Sequence, residues 1–174
     1  MLLAALSHVM LAAQPAPAIP VLEPPTREEM NQAQEIAGRC TARAANRDRR
    51  EDCTLAARVY FMAVVSGDHQ AEADPLARLQ VRMQARYLAA RAAGEFVEAL
   101  TRPSPAPELI AEFCAVERLY RRAAGVDTEA DWSLVEARQP AAIAQLRRMD
   151  AATQSLADRF APLGEQWCAG LEGY

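Results

Sequence analysis

The chain has 174 residues, enough for one domain that buries a core without needing a metal or a disulfide in order to collapse. A formal net charge of −4, with no basic domain or stripe, argues against nucleic acid as a partner. All 19 basic residues are Arg and Ala is the commonest residue, a composition that points to a GC-rich bacterial genome and, with few β-branched residues and few glycines, favours helix.

Residues 1–18 begin with an uncharged apolar run from Leu2 to Ala13, followed by small residues and prolines, with Ala16 and Ala18 in a signal-peptidase pattern. The run is too short to span a bilayer, so it reads as a cleavable leader, although no Lys or Arg precedes Arg27. Export to the periplasm or beyond, with no transmembrane segment in the mature chain, is the expectation. Residues 19–25 are a proline-rich extended linker, leaving 26–174 as a single helical domain.

Thr26 and Glu29 form an S/T-x-x-E capping box, so a helix starts there and buries Ala33, Ile36, Ala37 and Cys40 at three- and four-residue steps. Asn46-Arg47-Asp48 interrupts it. Asp48 and Glu51 cap a second helix whose apolar face carries Cys53, Ala56, Ala57, Tyr60 and Val64 and which ends at Ser66-Gly67. Asp74 then caps a third helix with Pro75 in its first position, and the seven-residue recurrence of Leu76, Met83, Ala90 and Val97 makes 75–100 one helix, roughly 39 Å long at about 1.5 Å per residue.

The prolines at 103, 105 and 107 stop that helix, and a fourth begins at Pro107 to bury Leu109, Phe113, Cys114, Val116 and Ala123. A short helix covers 128–138. Pro140 starts a longer one through Ile143, Leu146, Met149 and Phe160, which Pro162 and Gly164 end or kink before a tail with Trp167 and Cys168. No strand-like alternation occurs. The expected fold is all-α, an antiparallel up-and-down bundle of four to five main helices with a short extra one, stapled by disulfides.

The four cysteines, Cys40, Cys53, Cys114 and Cys168, permit three pairings. Cys40 and Cys53 lie at similar distances from the interruption at 46–48, so an antiparallel hairpin places them level, whereas one unbroken helix over 26–66 would hold them roughly 20 Å apart. Cys114 and Cys168 then pair by elimination. With no C-x-x-C motif, these cysteines read as structural disulfides of an oxidising compartment rather than as zinc or redox groups.

Arg78, Arg82 and Arg86 form an i, i+4 ladder, and Arg39, Arg43 and Arg47 a second, and convergent guanidiniums are a candidate anion site. The acid-first pairs Glu35–Arg39, Asp74–Arg78, Glu98–Arg102 and Glu117–Arg121 instead mark ordinary solvent-facing helix surfaces. His69, in an acidic interhelix loop, matches no EF-hand. A small exported bundle with many arginines and a C-terminal disulfide resembles, in architecture alone, the secreted chorismate mutases, which hold a dicarboxylate with Arg and Lys; with no Lys and no alignable motif, the resemblance implies no residue roles here.

No nucleophile elbow, P-loop, zinc-protease, dinucleotide or covalent-haem motif occurs, so no catalytic, metal or cofactor residue is expected. The function so indicated is a non-enzymatic exported helical protein that binds a protein partner or serves structurally in the cell envelope. The alternative is a small periplasmic enzyme or binding protein that holds an anionic small molecule on its arginine faces.

Overall fold

The computed structural model describes residues 24–41, 49–66 and 74–169. The leader at 1–18, most of the linker at 19–25, the cap at Asp48, Arg43, Arg47 and the loop carrying His69 lie outside those residues. Seven helices follow in order: α1 (Arg27–Thr41), α2 (Arg49–Val65), α3 (Pro75–Gly94), α4 (Val97–Leu100), α5 (Pro107–Ala124), α6 (Glu129–Arg138) and α7 (Pro140–Cys168). No strand occurs among the described residues, and the all-α bundle expected from the sequence is present.

Local chemistry sets most of the helix starts. At α1 the capping box is closed in both directions: the Thr26 amide donates to Glu29 Oε2 at 2.7 Å, and the Glu29 amide donates back to Thr26 Oγ1 at 3.2 Å. The Thr26 amide and, at 2.9 Å, the Thr26 hydroxyl donate to Glu29 Oε2 and hold that carboxyl below its ordinary range. Asp74 accepts from the Leu76 amide at 3.0 Å, and Pro75, Pro107 and Pro140 each open a helix where a missing amide costs nothing.

The long helix expected over 75–100 is broken. After Gly94 the Glu95 amide is shared between the carbonyls of Arg91 and Ala92, at 3.3 and 3.2 Å, and the chain tightens by a turn before α4 resumes at Val97. The tightening aims Phe96 inward, where it is 2% exposed and its ring centroid lies 5.9 Å from that of Phe113. Phe113 in turn meets Phe160 edge-on at 6.5 Å, and Phe160 meets Tyr120 at 5.2 Å, so one aromatic chain links α5 and α7 to the end of α3.

Of the end or kink expected at Pro162 and Gly164, an end does not occur: α7 runs through both to Cys168 and takes in the expected tail. Phe160, Leu163, Gly164 and Cys168 continue one buried face beyond the proline, while Pro162 itself faces solvent. Burial of that face, with the bond from Cys168 to α5, offsets the roughly 3 kcal/mol that an interior proline costs.

α3 is the centre. It touches α1, α2, α5, α6 and α7, and its buried residues Ala85, Ala89, Ala90, Ala92 and Ala93 let those neighbours approach closely. Most of the core lies between α1, α2, α3, α5 and α7, around Leu88, Phe96, Phe113 and Phe160. A second, smaller core joins Leu79 and Met83 of α3 to Val135 of α6 and to Ile143 and Leu146 of α7.

Both expected disulfides are present. Cys40–Cys53 staples α1 to α2 with Cα atoms 5.0 Å apart, and Cys114–Cys168 ties the last turn of α7 to α5 with Cα atoms 5.5 Å apart. Neither lies beside a free cysteine. Their separations of 13 and 54 residues give chain-entropy stabilisations of about 3 and about 4 kcal/mol. Replacing Cys114 and Cys168 together by Ala is therefore expected to lower the urea-unfolding free energy more than replacing Cys40 and Cys53. Equal losses, or the reverse order, would contradict this assignment of their weights.

Candidate functional site

The arginine ladder proposed from the sequence is turned toward the protein's own carboxylates. Arg78 donates from Nη2 and Nε to Asp131 Oδ1 at 2.7 and 3.2 Å, and Arg82 Nη1 donates to Asp131 Oδ2 at 2.7 Å and to the Asp127 carbonyl at 3.0 Å. Arg86 Nη1 reaches Asp150 Oδ1 at 3.0 Å. Asp131 is only 4% exposed, so its charge is tolerable because two guanidiniums share it. The three arginines thereby fasten α6 and α7 to α3.

The sequence could not pair them this way, because Asp131 lies 53 residues from Arg78. Asp74, the nearest candidate partner by helical spacing, uses its carboxylate on the Leu76 amide instead. Of the other acid-first pairs, Glu98 and Arg102 meet at 3.4 Å and Glu117 and Arg121 are in contact, while Arg39 turns from Glu35 to Asp52 of α2, at 3.5 Å. That last pair sits beside the Cys40–Cys53 bond and closes the same hairpin.

A different set of arginines faces solvent. Between α2 and α5 lies a groove of about 760 Å³ with an apolar floor of Phe96, Ala115 and Val116 and with Leu55 on its wall. Leu55 is 47% exposed, the most open of the large apolar side chains among the described residues. Arg50 lies over the Phe96 ring, its guanidinium carbon 5.4 Å from the centroid. Glu51 and Glu112 share this end of the groove with Arg50, two carboxylates to one guanidinium, so this end carries no positive excess.

Toward the C-terminal end of α5 the balance tips. Arg58 of α2 and Arg118 and Arg122 of α5 line an adjoining cavity of about 260 Å³ with Ala115 and Leu119. Neither Arg58 nor Arg122 has an ion-pair partner among the described residues. Arg118, Arg121 and Arg122 also border a third hollow of about 450 Å³, beside Cys114 and Cys168. Its floor is the buried Glu117, against which Gly164 packs so closely that a Cβ there would stand 3.1 Å from Glu117 Oε1. Arg121 and Arg122 in the last turn complement the α5 carbonyl end, and the cluster as a whole is a positive edge on a chain of net charge −4.

Sequence periodicity places Arg118 and Arg122 one turn apart on α5 but gives no signal for Arg58, which joins them only where α2 meets α5. Among the described residues no group of three potential metal ligands converges. No family model, curated protein or solved structure matches the chain.

The ladder's role makes a quantitative contrast. Asp131→Asn removes the buried carboxylate that two partly buried guanidiniums share and is expected to cost about 3 kcal/mol of unfolding free energy. Asp150→Asn, at an ion pair whose carboxylate is 46% exposed, should cost under about 1 kcal/mol. Urea titration of both variants checks the order, and a larger loss at position 150 would overturn it.

Proposed function

We propose that the protein is an exported, non-catalytic helical module that binds an acidic, amphipathic segment of a protein partner along the α2–α5 groove. The observation that carries this reading is the groove itself: an apolar floor left open, walled by the half-exposed Leu55 and continuous at one end with Arg58, Arg118 and Arg122. An amphipathic helix lays its apolar side into such a groove, and its acidic flank meets the arginines. Arg58 stands on α2 and Arg118 and Arg122 on α5, so the partner's charge is met by groups presented from two helices rather than from a loop.

Two disulfides suit an oxidising compartment, which agrees with the leader-like residues 1–18. Among the described residues no helix is long and apolar enough to cross a membrane. The alternative, an anionic small molecule as ligand, is favoured by one feature: three arginines from two helices share one cavity of about 260 Å³.

A photoreactive residue at Leu55, introduced in the native host, should give one adduct of defined mass whose partner segment is acidic, while the same residue at the exposed Leu134 of α6 gives none. Arg58→Glu with Arg122→Glu should abolish the adduct without lowering the melting temperature. No adduct at Leu55, labelling equal to that at Leu134, or indifference to the charge reversal would overturn the reading. Stabilisation by pyrophosphate that the same reversal removes, with no adduct, would establish the small-molecule alternative instead.

A further inference from the structure

A second hollow has the opposite chemistry. α1 packs chiefly on α2, and α7 on α3 and α6, so a groove of about 540 Å³ stays open above α3 between α1 and α7. Its α1 wall is Gln34, Ala37, Gly38 and Thr41, and its α7 wall is Ala142, Gln145, Leu146 and Met149. Each wall therefore follows the i, i+3, i+4, i+7 rhythm of a single helix face, and the two faces oppose one another. Gln80, Val81 and Gln84 of α3 form the floor, and Tyr60 of α2 closes one side.

In a chain that is 24% charged, no charged side chain lines this groove among the described residues. Four carboxamides do, contributed by α1, α3 and α7, and none of them has a hydrogen-bond partner within the protein among the described residues. Burial raises the Tyr60 hydroxyl above its ordinary pKa, and the phenol is a donor on the groove's side. The Thr41 hydroxyl already donates to the carbonyls of Ala37 and Gly38, at 3.0 and 3.2 Å, and keeps its capacity to accept.

These properties narrow the ligand. A charged molecule would lose its hydration here without meeting a counter-charge among the described residues, and a hydrocarbon would strip water from the carboxamides without replacing it. An extended peptide presents donors and acceptors along a line and needs a matching strand edge, whereas these amides stand on two facing walls and a floor. Adjacent hydroxyls, each both donor and acceptor, match carboxamides that are themselves both, and the C–H faces of a sugar ring match Val81, Leu146, Met149 and the Tyr60 ring. We propose that the α1–α3–α7 groove is a binding site for a neutral saccharide, held by Gln34, Gln80, Gln84 and Gln145. Its volume lies within the range of small-ligand sites.

The site lies apart from the α2–α5 groove and does not depend on what that groove binds. Saturation-transfer NMR of the full chain with millimolar chitotetraose or maltotetraose should show transfer to ring protons of at least one of them. Gln84→Leu with Gln145→Leu should weaken that binding about tenfold, the effect of losing one or two neutral hydrogen bonds, and Arg58→Glu should leave it unchanged. If the first pair of substitutions impairs folding, as read by the melting temperature, Gln34→Leu with Gln80→Leu at exposed positions makes the same test. No transfer to either saccharide, transfer undiminished in a folded double variant, or preference for a neutral capped peptide would each overturn the proposal.

Discussion

The structure depends on the close approach of five helices to one. α3 is alanine-rich along the half that runs from Leu88 to Ala93, where it is buried on nearly all sides, and an alanine surface lets neighbouring axes come to the short end of the usual helix spacing. Such a helix has little amphipathic character, because no side of it is reserved for water. In its first half the helix is divided instead: Leu79 and Met83 enter the second core, Arg78, Arg82 and Arg86 form one polar strip, and Gln80 and Gln84 another. Both strips result from covering a cylinder with helices that leave gaps. The gap under α6 and α7 is filled by arginine–aspartate contacts, and the gap between α1 and α7 remains open.

This division explains what the amino-acid sequence revealed and what it concealed. Helix starts at Thr26, Asp74, Pro107 and Pro140 follow from interactions within a few residues, so they could be read directly. The Cys40–Cys53 staple was legible for the same reason, since a short interrupted hairpin leaves its two cysteines few alternatives. The break after Gly94 was not, because the seven-residue apolar rhythm persists across it; what turns the chain is Phe96 meeting Phe113, a residue of another helix. Pro162 misled in the opposite sense, a local stop signal being overridden by burial of Phe160, Leu163 and Cys168 around it.

The arginines show the limit most clearly. A ladder spaced by four residues looks the same in a sequence whether it faces water, a ligand or a buried carboxylate, and Asp131 looks like a first-turn acid placed for the helix dipole. Only the docking of α6 on α3 turns that acid into a shared counter-ion at 2.7 Å from two guanidiniums. By the same logic Arg58, Arg118 and Arg122 were unremarkable individually, and their meaning as a positive edge exists only where α2 and α5 enclose one cavity. The C-terminal disulfide contributes to that edge mechanically: it holds α7 against α5, where Gly164 allows the contact with the buried Glu117 that underlies the hollow.

The two open grooves share α2, and its geometry keeps them distinct. Arg58 and Tyr60 are two positions apart, which at about 100° per residue sets them on nearly opposite sides of the helix. One side meets the apolar-floored groove against α5 and the arginine-lined cavity that adjoins it, and the other closes the uncharged groove over α3. For a ligand in one groove to alter affinity in the other it would have to shift α2, whose small residues Ala56, Ala57 and Ala63 are packed into the interior and whose N-terminal part is anchored by Cys53. A close-packed interior has few alternative arrangements to offer. The fold therefore presents two chemically unlike surfaces on opposite sides of one helix.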